Sequence, residues 1–294
     1  MSTPAVSTPV AVPDRRIAGG REALSMPSSA SRFLTLTIQS LREQWRGILI
    51  WGVSLGLLNV MYVSLYPGFK DSLGKYMETM PSGYLEFLGI NAGGGQFSLQ
   101  SFLNMEMFGI IAPIALPFFV ILMGARAVAG AEDRTQLDLL LSNPVPRRHL
   151  IASKFVTMIV GSVVILAILW VLTYVPSLFL STTLPANDLT LAVLNLLPFS
   201  LFFGGLALLL SALLRRSAIV IAISAALLVA MYVVNGVANV VASFKRARAV
   251  SLFYYYGAAI IDGIHWIDFF VVLVIAFVLA VLAAVAFDRR DILT

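Results

Sequence analysis

Long apolar runs alternate along this chain with short polar joints. Six stretches reach about 20 mostly apolar residues, the length needed to cross a hydrocarbon core: 47–66, 106–128, 155–180, 189–214, 218–242 and 268–287. The joints are the mixed region 67–105, the charged passage 129–154, the segment 181–188, the Arg215-Arg216 pair and 243–267. Upstream of the first run the period changes. Within 31–46, Leu34, Ile38, Leu41 and Trp45 fall on one helical stripe opposite Arg32, Gln39, Arg42 and Glu43. That spacing predicts an amphipathic helix, with Trp45 and Arg46 suited to a membrane surface. Segment 67–89 alternates charged and apolar residues at helical spacing, so it is expected to lie along the opposite surface. Segment 252–261 is too short to cross and suits a re-entrant or interfacial helix.

Composition turns this pattern into a fold class. Of 294 residues, 59% are hydrophobic and 12% charged, whereas soluble domains carry about 25% charged residues. Mean hydropathy is +0.92. So few polar groups cannot clothe a water-soluble fold. The expectation is an all-α integral membrane protein with six transmembrane helices, an N-terminal amphipathic interfacial helix and a cytoplasmic helix between spans two and three. Residues 1–30 are rich in Ser, Pro, Ala and Thr, lack the apolar stretch of a secretory signal, and read as a disordered cytoplasmic tail. Residues 31–294 form the membrane domain.

Charge then orients it. The net charge of +5 need not imply nucleic acid, because the basic residues flank apolar runs. With both termini inside, fifteen basic residues fall on the inner side and five on the outer, which fits the positive-inside rule. A multi-pass protein of the plasma membrane, the inner membrane in a bacterium, is expected, with lipids as neighbours and no nucleic-acid partner. Lys245, Arg246 and Arg248 fall outside and are expected to snorkel to headgroups.

Several chemistries are missing. The chain has no cysteine, which excludes disulfides, thiolate metal sites and a cysteine nucleophile. It has two histidines, His149 and His265, far apart in sequence. The run Gly93-Gly94-Gly95 is not followed by Lys-Ser or Lys-Thr, so the chain binds no ATP through a P-loop of its own. Ionisable residues occur only near the ends of the predicted spans: Glu106, Arg126, Asp188, Asp262, His265 and Asp268. Carriers driven by ion gradients usually set an acid or histidine at mid-membrane. Asn59, Asn195, Asn235 and Asn239 are expected to hydrogen-bond neighbouring helices. Asp262, His265 and Asp268, at i, i+3 and i+6, would share one face of a continuous helix. Polar trim at the start of a span, with Trp266 as the belt residue, is the plainer reading.

The passage 131–154, AEDRTQLDLLLSNPVPRRHLIASK, is the most ordered polar sequence in the chain. Glu132 and Asp133 stand where a helix would begin, the end favoured by negative charge. Arg134 and Asp138 are spaced to pair at i, i+4, and Leu137, Leu140 and Leu141 share a face. Asn143 precedes Pro144 and is pushed out of the α region, while Pro146 suits the first turn of the next helix. Arg147, Arg148 and Lys154 anchor that helix at the inner face. The product is a short helix, a proline elbow and a return into the membrane. Its leucine face would lie in the lipid interface or dock a cytosolic partner.

These residues resemble the permease signature of type-2 ABC exporters. That signature reads Ala-Gly-Glu-Glu, a variable pair, Gly-Thr-Leu-Glu-Leu-Leu-Leu, then Pro-Val-Ser-Arg and a downstream Lys. This chain gives Ala129-Gly130-Ala131-Glu132, Asp133 and Arg134, Thr135-Gln136-Leu137-Asp138-Leu139-Leu140-Leu141, then Pro144-Val145-Pro146-Arg147 and Lys154. It departs at Ala131 and at Thr135-Gln136. Further likenesses are Arg46-Gly47 with Trp51, Met80-Pro81 with Leu88-Gly89, Ser251-Leu252-Phe253-Tyr254-Tyr255-Tyr256, and Phe287-Asp288-Arg289-Arg290-Asp291. They extend the resemblance over 31–294.

The resemblance implies a permease subunit with no catalytic residue or metal. A second permease copy or a paralogue would pair with it around a pathway, and two cytosolic ATPase subunits would hold the ATP and Mg. It makes the 129–154 loop the coupling helix, with Glu132, Asp133, Arg134, Leu137, Leu140, Leu141, Pro144, Arg147 and Arg148 at the contact. Asn235, Asn239, Tyr254, Tyr255 and Tyr256 would line an outer gate. The alternatives are a membrane scaffold or sensor whose loop docks a partner, and a secondary carrier.

Overall fold

The computed structural model describes residues 29–80, 98–130, 147–180 and 184–289, all of whose regular elements are helical. Among the described residues six helices are long and apolar enough to cross a membrane. They are α1 (Ser29–Glu78), α2 (Leu99–Ala127), α3 (Arg147–Ser177), α4 (Ala186–Leu213), α5 (Ser217–Val240) and, last in the chain, α8 (Trp266–Asp288). Between α5 and α8 lie a 3-10 helix (Ala242–Val250) and two short helices, α6 (Leu252–Tyr256) and α7 (Ala259–Asp262). This is the all-α membrane architecture expected of the sequence.

Two boundaries differ from the hydropathy pattern. The amphipathic stretch 31–46 is not a separate surface helix but the first part of α1, which runs unbroken for 50 residues, about 75 Å at ~1.5 Å per residue. It packs side by side with α3 along its length. Phe33 meets His149 edge-on at 6.2 Å, Ser40 accepts a hydrogen bond from Lys154 at 2.9 Å, and Asn59 donates to Thr173 in a buried pair. Thr37 and Ser40 are therefore the buried groups of this stretch, while Leu34, Ile38 and Trp45 remain exposed. At its other end α1 continues through Pro67 to Glu78. So residues 67–78 extend the span and form no separate surface helix, and 81–89 lie outside the described residues.

The second boundary is the start of α2. Hydropathy placed it at 106, because Gln100, Ser101 and Asn104 dilute the apolar signal. The helix begins at Leu99 instead, where the Ser98 hydroxyl accepts from the Ser101 N–H at 3.1 Å. This cap satisfies one of the N–H groups that every helix start leaves free. Glu106 therefore lies well inside a span rather than at its edge. Residues Asn104–Ile111 wind as a π-helix, a wide turn found frequently at functional sites.

The core is built around α4, which touches α2, α3, α5, α7 and α8. Lipid tails are as apolar as leucine, so helices associate in a bilayer by close packing of small residues. Gly205 of α4 lets α8 approach: a Cβ there would stand 2.9 Å from the Ala276 carbonyl oxygen. Gly124 of α2 does the same against α4, with the Gly204 oxygen at 3.0 Å. Near the middle of α4, Phe199 packs on Phe253 and Tyr256 of α6, with ring centroids 4.9 and 5.0 Å away. By contrast α5 turns most of its surface outward, including Val229, Val233 and Val237.

A close approach this tight predicts the sign of a substitution. Gly205→Ala should destabilise the purified chain by roughly 1–3 kcal/mol through overpacking and lower its thermal midpoint. Gly68→Ala, where a Cβ meets nothing within 4 Å, should be neutral or stabilising by up to about 1 kcal/mol. Equal midpoints for the two variants would contradict this packing.

Candidate functional site: the frame around the 131–146 connection

Seven of the nine residues expected to face a partner, Glu132, Asp133, Arg134, Leu137, Leu140, Leu141 and Pro144, lie outside the described residues. The structure instead defines what holds the two ends of this connection. Upstream, α2 loses helical geometry at Val128 (φ −122°, ψ −59°). Its freed backbone groups turn to one side chain. The Ser211 hydroxyl of α4 accepts from the Ala129 N–H at 2.9 Å and the Val128 N–H at 3.2 Å, and donates to the Ala125 carbonyl at 3.1 Å. Ser211 is fully buried, so water does not compete for these groups. One hydroxyl uses its donor and both lone pairs to pin the end of α2 to α4.

Downstream, Arg147 opens α3 and the Arg148 guanidinium forms an ion pair with Asp288 at the end of α8. The Arg148 side chain is 75% exposed, so the pair is solvent-screened and orients more than it stabilises. Nearly two turns further along, Lys154 reaches Ser40 of α1, with Glu43 within electrostatic range. The two ends of the connection are thus tied to three different spans: α4 through Ser211, α8 through Asp288 and α1 through Ser40.

The residues expected at the opposite end separate into two groups. Tyr256 is buried, donating its phenol to the Phe108 carbonyl at 3.0 Å while its own carbonyl accepts from Asn195 at 2.7 Å. Tyr255 donates to Ala249 at 2.9 Å, and Tyr254 is exposed with the Arg248 guanidinium over its ring at 4.8 Å. So Arg248 of the basic cluster meets an aromatic face of its own chain. Asn235 and Asn239 sit on α5 away from these tyrosines in sequence; the Asn235 amide oxygen is buried without a partner among the described residues. Asn59 and Asn195 bond neighbouring elements, as expected. Asp262, His265 and Asp268 do not share one helix, because Gly263 breaks it with φ +77° and His265 only caps α8. Among the described residues no group of three or more acids or histidines is placed to hold a metal.

The profile of the ABC-2 family transporter protein matches residues 34–292, nearly the whole chain. The chain belongs to the ABC-2 transporter family. It is therefore a membrane permease component of an ABC transporter. A comparison with curated proteins returned no match. The sequence pattern singles out Arg148 without indicating Asp288 as its partner, and gives little sign of Ser211. The only trace of Ser211 in the sequence is a hydroxyl four residues before Arg215-Arg216, at the end of an otherwise apolar run.

Removing this pin has a defined cost. Ser211→Ala leaves two buried N–H groups and a carbonyl unsatisfied, which should destabilise the chain by roughly 1–3 kcal/mol. Ser200→Ala, whose hydroxyl only bonds back to Leu197 of its own helix, should have a smaller effect. Thermal unfolding of both variants measures the difference, and an equal or reversed order would argue against the pin.

Proposed function

We propose that this permease belongs to an ATP-driven exporter. Two permeases, identical or paralogous, pair around a substrate pathway, and each docks a cytosolic ATPase subunit that binds ATP and Mg. Both termini face the cytoplasm of the plasma membrane, the inner membrane in a bacterium. The 131–146 connection is the coupling element, with Glu132, Asp133, Arg134, Leu137, Leu140, Leu141 and Pro144 offering the contact. Arg147 and Arg148 begin the helix that carries the push onward.

The observation that carries this reading is the anchoring of both ends of the connection. A loop tied to α4, α8 and α1 at its two ends passes any displacement to three spans at once. A flexible tether would need neither the buried Ser211 pin nor the Arg148–Asp288 pair. Energy arriving through a contact also accords with a sequence that has no P-loop. Closure of the ATPase dimer would press the leucine face, and the spans would switch between inward- and outward-facing arrangements around α4.

The test is to replace the leucine face and leave the bundle intact. Leu140→Asp combined with Leu141→Asp should abolish substrate-stimulated ATP hydrolysis by the purified complex and leave membrane insertion unchanged. Full turnover with these substitutions would reject the coupling assignment. Transport that persists without ATP but collapses with an ion gradient would favour a secondary carrier.

A further inference from the structure

Glu106 is the feature that neither the fold nor the coupling frame uses. The other described carboxylates of the spans have evident places. Asp188 and Asp268 sit in first turns, Asp288 pairs with Arg148, and Glu43 lies near Lys154. Glu106 instead stands seven residues into α2, about 10 Å along the helix at ~1.5 Å per residue, and forms no ion pair among the described residues. An ionisable side chain at such a place is costly and usually functional.

Its surroundings describe a ligand. On the π segment Met105, Glu106, Gly109 and Ile110 are half-buried, whereas Asn104, Met107 and Phe108 face the core. Tyr62 of α1 is half-exposed and meets α2 at Phe102, one turn before Glu106. Its ring packs edge-on against Phe102 at 6.0 Å, which holds it in place. A lone carboxylate with an aromatic wall and apolar flanks suits a cation whose charge is spread over an apolar body. One carboxylate is too few ligands for a hard metal ion.

The direction of Glu106 depends on the π register, and the register has an identifiable support. The Ala112 N–H bonds the Met107 carbonyl, five residues back. The next π bond would run from residue 113 to the Phe108 carbonyl, but Pro113 has no N–H. The Phe108 oxygen is the group left over, and it is the one that accepts the Tyr256 phenol at 3.0 Å. Tightening the π segment to an α-helix would shift it by one residue and turn Glu106 by about 100°.

We propose that Glu106 is the recognition carboxylate of a site for apolar organic cations, walled by Tyr62, and that Tyr256 positions it by holding the π register of α2. This deepens the exporter reading by naming a substrate class and rests on it for direction alone. Binding to the full-length chain needs no ATPase, so its failure and a failure of coupling are separate results.

Tetraphenylphosphonium and tetraphenylborate share one shape and carry opposite charges. In lipid nanodiscs the wild-type chain should bind the cation above the level of empty discs and prefer it to the anion. Glu106→Gln should weaken cation binding about tenfold or more, as expected for a lost partner in a part-buried charge contact, and leave the anion unchanged or improved. Tyr256→Phe should weaken cation binding too, and adding Pro113→Ala, which restores a backbone N–H for the Phe108 carbonyl, should recover it. A merely structural role for Tyr256 would not be rescued in that way. If Glu106→Gln fails to insert, Tyr62→Leu removes only the wall and should show the same loss. Equal binding of cation and anion, or undiminished cation binding by Glu106→Gln, would overturn the site. Wild-type affinity in Tyr256→Phe would overturn its positioning role.

Discussion

A backbone group freed inside an apolar bundle has no water to turn to, and this constraint shapes the permease more than any other. Only structures that satisfy their own N–H and C=O groups are tolerated in hydrocarbon. At three places among the described residues where a helix departs from its regular ladder, a side chain from a different element supplies the missing partner. Ser211 of α4 takes the groups released where α2 ends. Tyr256 takes the carbonyl stranded by Pro113. Asn195 takes the Tyr256 carbonyl where α6 ends. Breaks in the helices thereby become the joints between them.

Two of those joints lie on α2. Its C-terminal end is pinned to α4 beside the 131–146 connection, and Phe108, inside the helix, is tied through Tyr256 to the short helices between α5 and α8. The long α1–α3 pair has a different character, with Gly52 and Gly56 closing on Ile168 and Leu172 and the Asn59–Thr173 bond fixing the register.

Much of this was legible in the sequence, and what was not has physical reasons. The number of spans followed from hydropathy because about 20 apolar residues are costly to place anywhere but a bilayer. Composition could not see helix continuity. The amphipathic stretch 31–46 is polar on one side, yet that polarity is used against α3 through Ser40 and Lys154. The start of α2 was hidden by Gln100, Ser101 and Asn104, so Glu106 looked like an edge residue. Ser211 and the Asp288 partner of Arg148 are contacts between residues far apart in sequence, and no period or spacing announces them. Tyr256 was placed in a gate by resemblance, and its buried bond to α2 became visible only in three dimensions. The leucine face of 137–141 rests on sequence and on membership of the ABC-2 family.

The central claim is that 131–146 receives force from an ATPase. It is tested most directly by placing a photo-crosslinking amino acid at Leu140 and irradiating intact cells. A covalent adduct with a P-loop ATPase, absent when the same group replaces the exposed Val229 of α5, is the predicted result. Adducts with lipid alone, or with a protein that carries no P-loop, would contradict the claim.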